Sequence, residues 1–92
     1  MTRTARLAAH MSWRPEGAVA YVYDASSDAL SRTNATGLLV LEELERGRSL
    51  NQIAETIGAR YGIGSAQALA DAERFVGGLA AAGLVEWADE TT

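Results

Sequence analysis

The side chains able to do chemistry in this chain of 92 residues are few. There are one histidine, twelve carboxylates and eight arginines, with no lysine and no cysteine. His10 has no second histidine with which to share a metal and no nucleophile placed beside it by a motif, so it reads as a solvated or satisfied strand histidine. Asp71 and Glu73, two apart on a helical stretch, cannot both point at one substrate atom. Without cysteine neither a disulfide framework nor a thiolate metal site is possible. There is no G-x-G-x-x-G, Walker A or H-E-x-x-H pattern. The glycines of "YGIG" and "VGGL" lack the strand–loop–helix setting that cradles a phosphate. The expectation is a chain with no catalytic residues, no metal and no cofactor.

Composition narrows the binding chemistry that remains. The net charge is −4 and the pI about 4.8, with 48% apolar and 22% charged residues. Nucleic-acid binders neutralise phosphates with clustered Lys and Arg; this chain scatters its arginines, and the expectation is no nucleic-acid partner. Trp13, Tyr21 and Tyr23 could form a stacking platform for single strands, but the absence of lysine favours their packing as core. No apolar run approaches the roughly 20 residues that cross a bilayer, and no signal-like apolar core follows Arg3 and Arg6. No membrane partner and a reducing, cytoplasmic location are expected.

The elements that would position a binding site follow from periodicity. Residues 7–13 alternate, with Leu7, Ala9, Met11 and Trp13 on one face, and read as a half-buried strand. "RPEG" (14–17) reads as a turn, "AVAYVYD" (18–24) as a central strand, "ASSD" (25–28) as a second turn and "ALSRT" (29–33) as a short third strand. Asn34 caps a first helix that runs to about Arg46 and closes at Gly47. Its apolar positions are Gly37, Val40, Leu41 and Leu44, and Glu42, Glu43 and Glu45 fall mostly on the solvated side. Ser49 and Gln52 form a capping box for a second helix carrying Leu50, Ile53, Ala54 and Ile57, which Tyr61 and Gly62 end. Ser65 is the expected cap of a third helix over 66–82, with Leu69, Ala72, Phe75, Val76 and Leu79 as its stripe. Gly77 and Gly78 lie inside that helix at about 1 kcal/mol each against Ala, which suggests close approach of another backbone, simple tolerance being the alternative. "LVEW" (84–87) reads as extended. The fold class is α+β and winged-helix-like: an N-terminal three-stranded antiparallel sheet followed by three helices. A single domain over residues 1–92 is expected, with 1–5 and 88–92 flexible.

The run "TNATGLLVLEELERGRSLNQIAETIGARYGI" and the later "DAERFVGGLAAAGLV" together resemble the PqqD-like family, also called RiPP recognition elements. The resemblance rests on Asn34 with Gly37, Val40-Leu41, Leu44 and Gly47; on Ile53-Ala54, Ile57 and Tyr61; and on Asp71, Phe75, Leu79 and Gly83-Leu84. It covers about residues 7–86. Gly37 departs from it, alanine being common there. The chain is most similar to the stand-alone B1 proteins of lasso-peptide pathways. The resemblance implies a non-catalytic module that binds the leader region of a ribosomally made precursor peptide. The leader would add as a strand to the edge of the 29–33 strand and pack against the third helix. Implied partners are a leader peptidase of the B2 type and a macrolactam cyclase.

The chemistry of the residues fits that implication. An edge strand without Pro or Lys is a template for another strand, and strand addition takes affinity from main-chain bonds and specificity from alternate side chains. The expected peptide-binding residues are Ala29, Leu30, Ser31, Arg32 and Thr33 on the strand, with Val22 beside it. Leu69, Asp71, Ala72, Glu73 and Val76 are expected on the third helix. Leu30, Val22, Leu69, Ala72 and Val76 would form an apolar groove, and Asp71 or Glu73 would meet a basic leader residue; ordinary core packing is the alternative for the apolar members. The function class competing with peptide recognition is a winged-helix DNA-binding regulator, against which stands a third helix with Arg74 as its one cation. A dimerisation module using the same edge is a further alternative.

Overall fold

The computed structural model describes residues 3–89. Five strands and three helices follow in the order β1 (Arg3–Leu7), β2 (Met11–Glu16), β3 (Val19–Asp24), β4 (Ala29–Arg32), α1 (Ala35–Glu45), α2 (Leu50–Tyr61), α3 (Ser65–Ala81) and β5 (Val85–Asp89). The antiparallel meander β2-β3-β4 followed by three helices is the α+β, winged-helix-like arrangement expected. An antiparallel pair β1-β5 is added to it, registering Ala5 with Trp87 and Leu7 with Val85.

Several elements differ from the sequence reading, each for a local reason. The 7–13 strand is two strands. Ala9 and His10 form a turn, so the buried positions run Ala5, Ala8, Met11 and the period of two is reset between them. Arg14, Pro15 and Glu16 of the expected turn are strand residues, and the reversal is made by Gly17 at φ 63° and Ala18. Pro15 is tolerated because β2 is an edge strand. Residues 3–5 and 88–89, expected to be loose, lie in the β1-β5 pair; the rest of that expectation, residues 1–2 and 90–92, falls outside the described residues. Helix α3 is capped by Gly64, with Ser65 already inside it. Alpha carbons Gly77 and Gly78 approach nothing: a Cβ at either would meet no atom within 4 Å. The close approach is at Gly37 instead.

The caps of the first two helices are those expected. Asn34 Oδ1 accepts from the Gly37 N–H at 2.9 Å, and Ser49 and Gln52 make the reciprocal box. Gly62, in the left-handed region at φ 65°, ends α2. The inner face of the sheet contributes Met11, Ala20 and Val22 to a core completed by Val40 and Leu41 of α1, Ile53 and Ile57 of α2, and Ala72 and Val76 of α3. Val85 of β5 and Ala5 of β1 close it from the far side, and a bridge from Thr4 to Ser49 ties β1 to the start of α2.

Glu43 is the exception among the helix carboxylates. It is 4% exposed, not solvated as its neighbours suggested. Thr56 Oγ1 donates to its Oε1 at 2.6 Å, Arg46 Nη1 donates to Oε2 at 3.3 Å, and Arg48 Nε lies 3.5 Å from Oε1. A buried carboxylate is tolerable when it is paired and hydrogen-bonded, and this one pins α1 to α2 and to the loop between them. Replacing Glu43 with Ala leaves Thr56 with only the longer bond to the Gln52 carbonyl, at 3.2 Å, and the buried Arg48 Nε without its counter-ion. The expected loss is about 2 kcal/mol, or roughly 8–16 °C in Tm by calorimetry. A Glu43→Ala chain as stable as the parent would show that the cluster contributes nothing net.

Candidate functional site

The candidate site begins with a question of parity. Along an antiparallel strand, backbone N–H and C=O groups point alternately to one neighbour and the other. The Thr33 N–H donates to the Ala20 carbonyl at 2.8 Å, and the Ala25 N–H to the His10 carbonyl at 2.8 Å. Both bonds fix the same phase. Ala20, Val22 and Asp24 turn their backbone groups toward β4; Val19, Tyr21 and Tyr23 turn theirs toward β2. In the register Val22↔Ser31 and Tyr23↔Leu30, Ser31 therefore bonds inward, and the backbone groups of Leu30 and Arg32 face the open edge. On the opposite edge, the register Trp13↔Val22 and Pro15↔Ala20 puts Trp13 and Pro15 outward. The sheet thus has one edge with free donors and one where proline removes a donor. All four β4 residues are exposed.

Past Arg32 the ladder continues through a side chain. The Ala20 N–H donates to Thr33 Oγ1 at 3.2 Å, and that hydroxyl donates to the Asn34 carbonyl at 3.0 Å. This pins the end of β4 to β3 where α1 starts. There a groove of about 490 Å³ opens between the N-terminus of α1 and α3, lined by Asn34, Thr36, Asp71, Arg74, Phe75, Gly78 and Leu79. Its volume lies in the range of about 300–1,000 Å³ usual for ligand clefts. Asp71 and Arg74 pair at 3.3 Å on its rim.

The other end of β4 is held by the turn after β3. Asp24 Oδ1 accepts from the Ser26 N–H at 2.9 Å and from Ser26 Oγ at 2.6 Å, and Ser27 Oγ donates to Oδ2 at 3.1 Å. Asp28 stands at φ 57° and accepts from Tyr23 Oη at 2.7 Å. The hydroxyl of Ser26, foremost among these donors, holds the Asp24 carboxyl below its ordinary value near 3.8, with His10, 3.9 Å away, adding a smaller effect. The Asp28 hydrogen bond raises the Tyr23 phenol.

The expected site residues fall into three groups. Ala29, Leu30, Ser31, Arg32 and Thr33 lie along the open edge, and Asp71 lines the groove beside it. Val22, Ala72 and Val76 are core, at most 2% exposed. Leu30 points away from them: it shares the outer sheet face with Tyr23, whereas Val22 faces inward. The apolar groove imagined from those four residues with Leu69 is therefore not formed. Leu69 lines a different cleft, between α2 and α3, with Ala54, Gly58 and Ile63, and exposed Glu73 is on neither wall. Tyr21 and Tyr23, expected as core, lie on the outer face with Arg14 and Leu30, because β3 turns Ala20 and Val22 inward. Only the aromatic Trp13 of that trio faces the helices, and its indole N–H donates to Glu45 Oε1 at 2.8 Å.

The sequence reading missed Asn34, Thr36, Arg74, Phe75, Gly78 and Leu79 as groove residues. The available signal was the second face of α3. Positions 71, 74, 75 and 78 recur at helical spacing, one step round from the buried 68, 72 and 76. Among the described residues no cluster of three or more His, Cys, Asp or Glu could hold a metal, and no helix is long and apolar enough to cross a membrane.

Three comparisons bear on this geometry. The profile of the family described as "Coenzyme PQQ synthesis protein D (PqqD)" matches residues 20–85. No curated protein matches the chain. Among solved structures, TbiB1 in complex with the TbiA(beta) leader peptide superposes with a TM-score of 0.85 at 20% identity, over 91% of this chain and 99% of that one. A lasso peptide synthetase B1 complexed with the leader peptide superposes with a TM-score of 0.81 at 22% identity, over 89% and 96%. At these identities the likeness is one of fold.

The turn yields a test of its own. A carboxyl held low in the folded chain contributes stability above its ordinary range, and that contribution is lost as pH falls through the depressed value. A carbon-detected NMR titration should place the Asp24 midpoint below 3.8. In Ser26→Ala the midpoint should move up toward that value; an unmoved midpoint would remove Ser26 as the cause.

Proposed function

The chain belongs to the PqqD family, and on that premise we propose that it is a non-catalytic leader-peptide-binding protein. Its guest is the leader region of a ribosomally made precursor, as the two solved relatives are described as bound to leader peptides. The observation that carries the reading is the pairing of one open edge with one groove. Leu30 and Arg32 present backbone donors and acceptors along β4, and the strand leads directly into the cleft over Phe75 and Gly78. A guest strand would take its main-chain bonds from those two residues and seat side chains in the groove. Ala29, Ser31 and Thr33 hold that edge in place, and Asp71, which pairs with Arg74 on the rim, would share its carboxylate with a basic leader residue, an exposed contact worth about 0–1 kcal/mol.

The buried Val22, Ala72 and Val76 support the site from beneath. Leu69 and Glu73 have no role in this version of it. A leader peptidase of the B2 type and a macrolactam cyclase are the tailoring enzymes to which the loaded protein would deliver its guest, in the cytoplasm. The DNA-binding alternative gains nothing from α3, where Arg74 is already paired with Asp71.

The parity of β4 makes the test specific. Arg32→Pro removes a donor that faces outward, so the sheet keeps its own ladder and the chain should fold, as far-ultraviolet circular dichroism would report. Binding of a fluorescein-labelled leader peptide that the parent chain binds should weaken about tenfold or more by fluorescence polarisation. Pro15→Val, on the opposite edge, should leave affinity unchanged. A folded Arg32→Pro chain that binds like the parent would exclude strand addition at β4.

A further inference from the structure

Helix α1 and helix α3 meet at a point that leaves no room for a methyl group. A Cβ built on Gly37 would lie 2.6 Å from Phe75 Cζ, 2.7 Å from Phe75 Cε2 and 2.6 Å from Thr33 Cβ. Carbon atoms do not approach this closely; their optimum is about 3.5–4.0 Å. The ring edge of Phe75 occupies the space that a side chain at position 37 would need. Phe75 is also part of the groove lining, half-buried, with Gly78 one turn further along α3. A Cβ on Gly78 would meet nothing within 4 Å, so nothing in the free chain fills the space above it.

We infer that Gly37 is a specificity-determining residue of the groove: by lacking a side chain it lets the Phe75 ring lie back against α1, which keeps the subsite over Phe75 and Gly78 open to a bulky apolar side chain. This rests on the peptide-binding reading above and adds to it the residue that sets the groove's depth. The direction of the effect follows from what surrounds the ring. Phe75 packs against the core, and its neighbours on α3, Ala72 and Val76, have no exposed surface, so the packed interior resists inward movement of the ring. A methyl on residue 37 would therefore be relieved by moving the ring toward the groove that it lines. The same methyl presses on Thr33, whose hydroxyl and N–H tie the end of β4 to Ala20. One substitution would therefore narrow the groove and shift the end of the guest's edge, while touching no guest atom itself. Gly77 provides the control. It is the neighbouring helix glycine, has equally open surroundings and does not line the groove.

The test uses the full chain, the labelled leader peptide, and leader variants in which each large apolar residue in turn is replaced by alanine. Gly37→Ala should fold, move the aromatic resonances of Phe75 and the amide of Gly78, and bind the parent leader about tenfold more weakly. The penalty should shrink for the one trimmed leader whose side chain enters the subsite. Phe75→Leu in the Gly37→Ala background removes the ring atoms that collide and should recover much of the affinity, or the fold itself if Gly37→Ala alone unfolds. Gly77→Ala should bind as the parent does. Unchanged affinity in Gly37→Ala overturns the inference. So does an equal loss across all leader variants, which would mark a merely structural role, or a double variant that recovers nothing. A parent chain that fails to bind the leader overturns the peptide-binding reading itself, and the inference with it.

Discussion

The joint between β4 and α1 is the constraint on which the rest of the molecule depends. Four consecutive demands fall on residues 33 to 37. Thr33 must end the strand with a side-chain bond to Ala20, and Asn34 must cap the helix through the Gly37 N–H. The backbone must then turn steeply enough to send α1 under the sheet, and Phe75 of α3 must reach the same spot. A side chain at Gly37 would break the last demand and strain the first. The strand edge, the helix start and the groove floor are thus one packed unit. A change at any of them is felt at the other two, because close-packed interiors transmit displacement rather than absorb it.

The two small sheets divide the work of stability and exposure. A domain of this size buries a smaller share of its surface than a large one does. The β1-β5 pair supplies part of what the meander and helices leave open, bringing Ala5 and Val85 over the core. It also joins the N-terminal segment to the strand that follows α3, clasping the helices between elements far apart in sequence. With the helices held from that side, the meander can leave β4 uncovered. An exposed edge is a liability for aggregation; here it is short, and the other edge of the same sheet carries a proline.

What could be read from the sequence was what local chemistry dictates. The Asn34 cap, the Ser49–Gln52 box, the Gly62 stop and the three helices are set by side chains within a few residues of one another, and they stand where expected. The 29–33 stretch was legible as an edge because it follows two turns and lacks Pro and Lys. What was not legible depended on partners distant in sequence. The strand Arg3–Leu7 has little pattern of its own and exists because β5 pairs with it. Glu43 looks like its solvated neighbours Glu42 and Glu45, and only the arrival of Thr56 and Arg48 makes its burial tolerable. On α3 the sequence pattern singles out the apolar stripe, and that stripe is consumed by the core. The groove uses the adjacent face, whose glycine and charges look unremarkable until α1 is packed beside them. The resemblance of the whole pattern to the PqqD family supplied the edge and the helix, but the face of the helix had to come from geometry.

A guest strand gains most when the edge it meets is already in its bound shape. Ordering a backbone residue costs about 1–2 kcal/mol, and a four-residue strand free to fray would charge that cost against affinity. Here β4 is fixed at both ends by the chain's own bonds. At one end Asp24 gathers Ser26 and Ser27, and Tyr23 holds Asp28 in its left-handed turn. At the other, Thr33 and Asn34 lock the strand to β3 and to α1. Between these pins the strand has every side chain exposed and contributes little to the core. A segment so firmly held yet so little buried is poorly explained by the needs of folding alone. The polar residues that bracket it are placed to keep two outward-facing backbone units, those of Leu30 and Arg32, in register beside the groove.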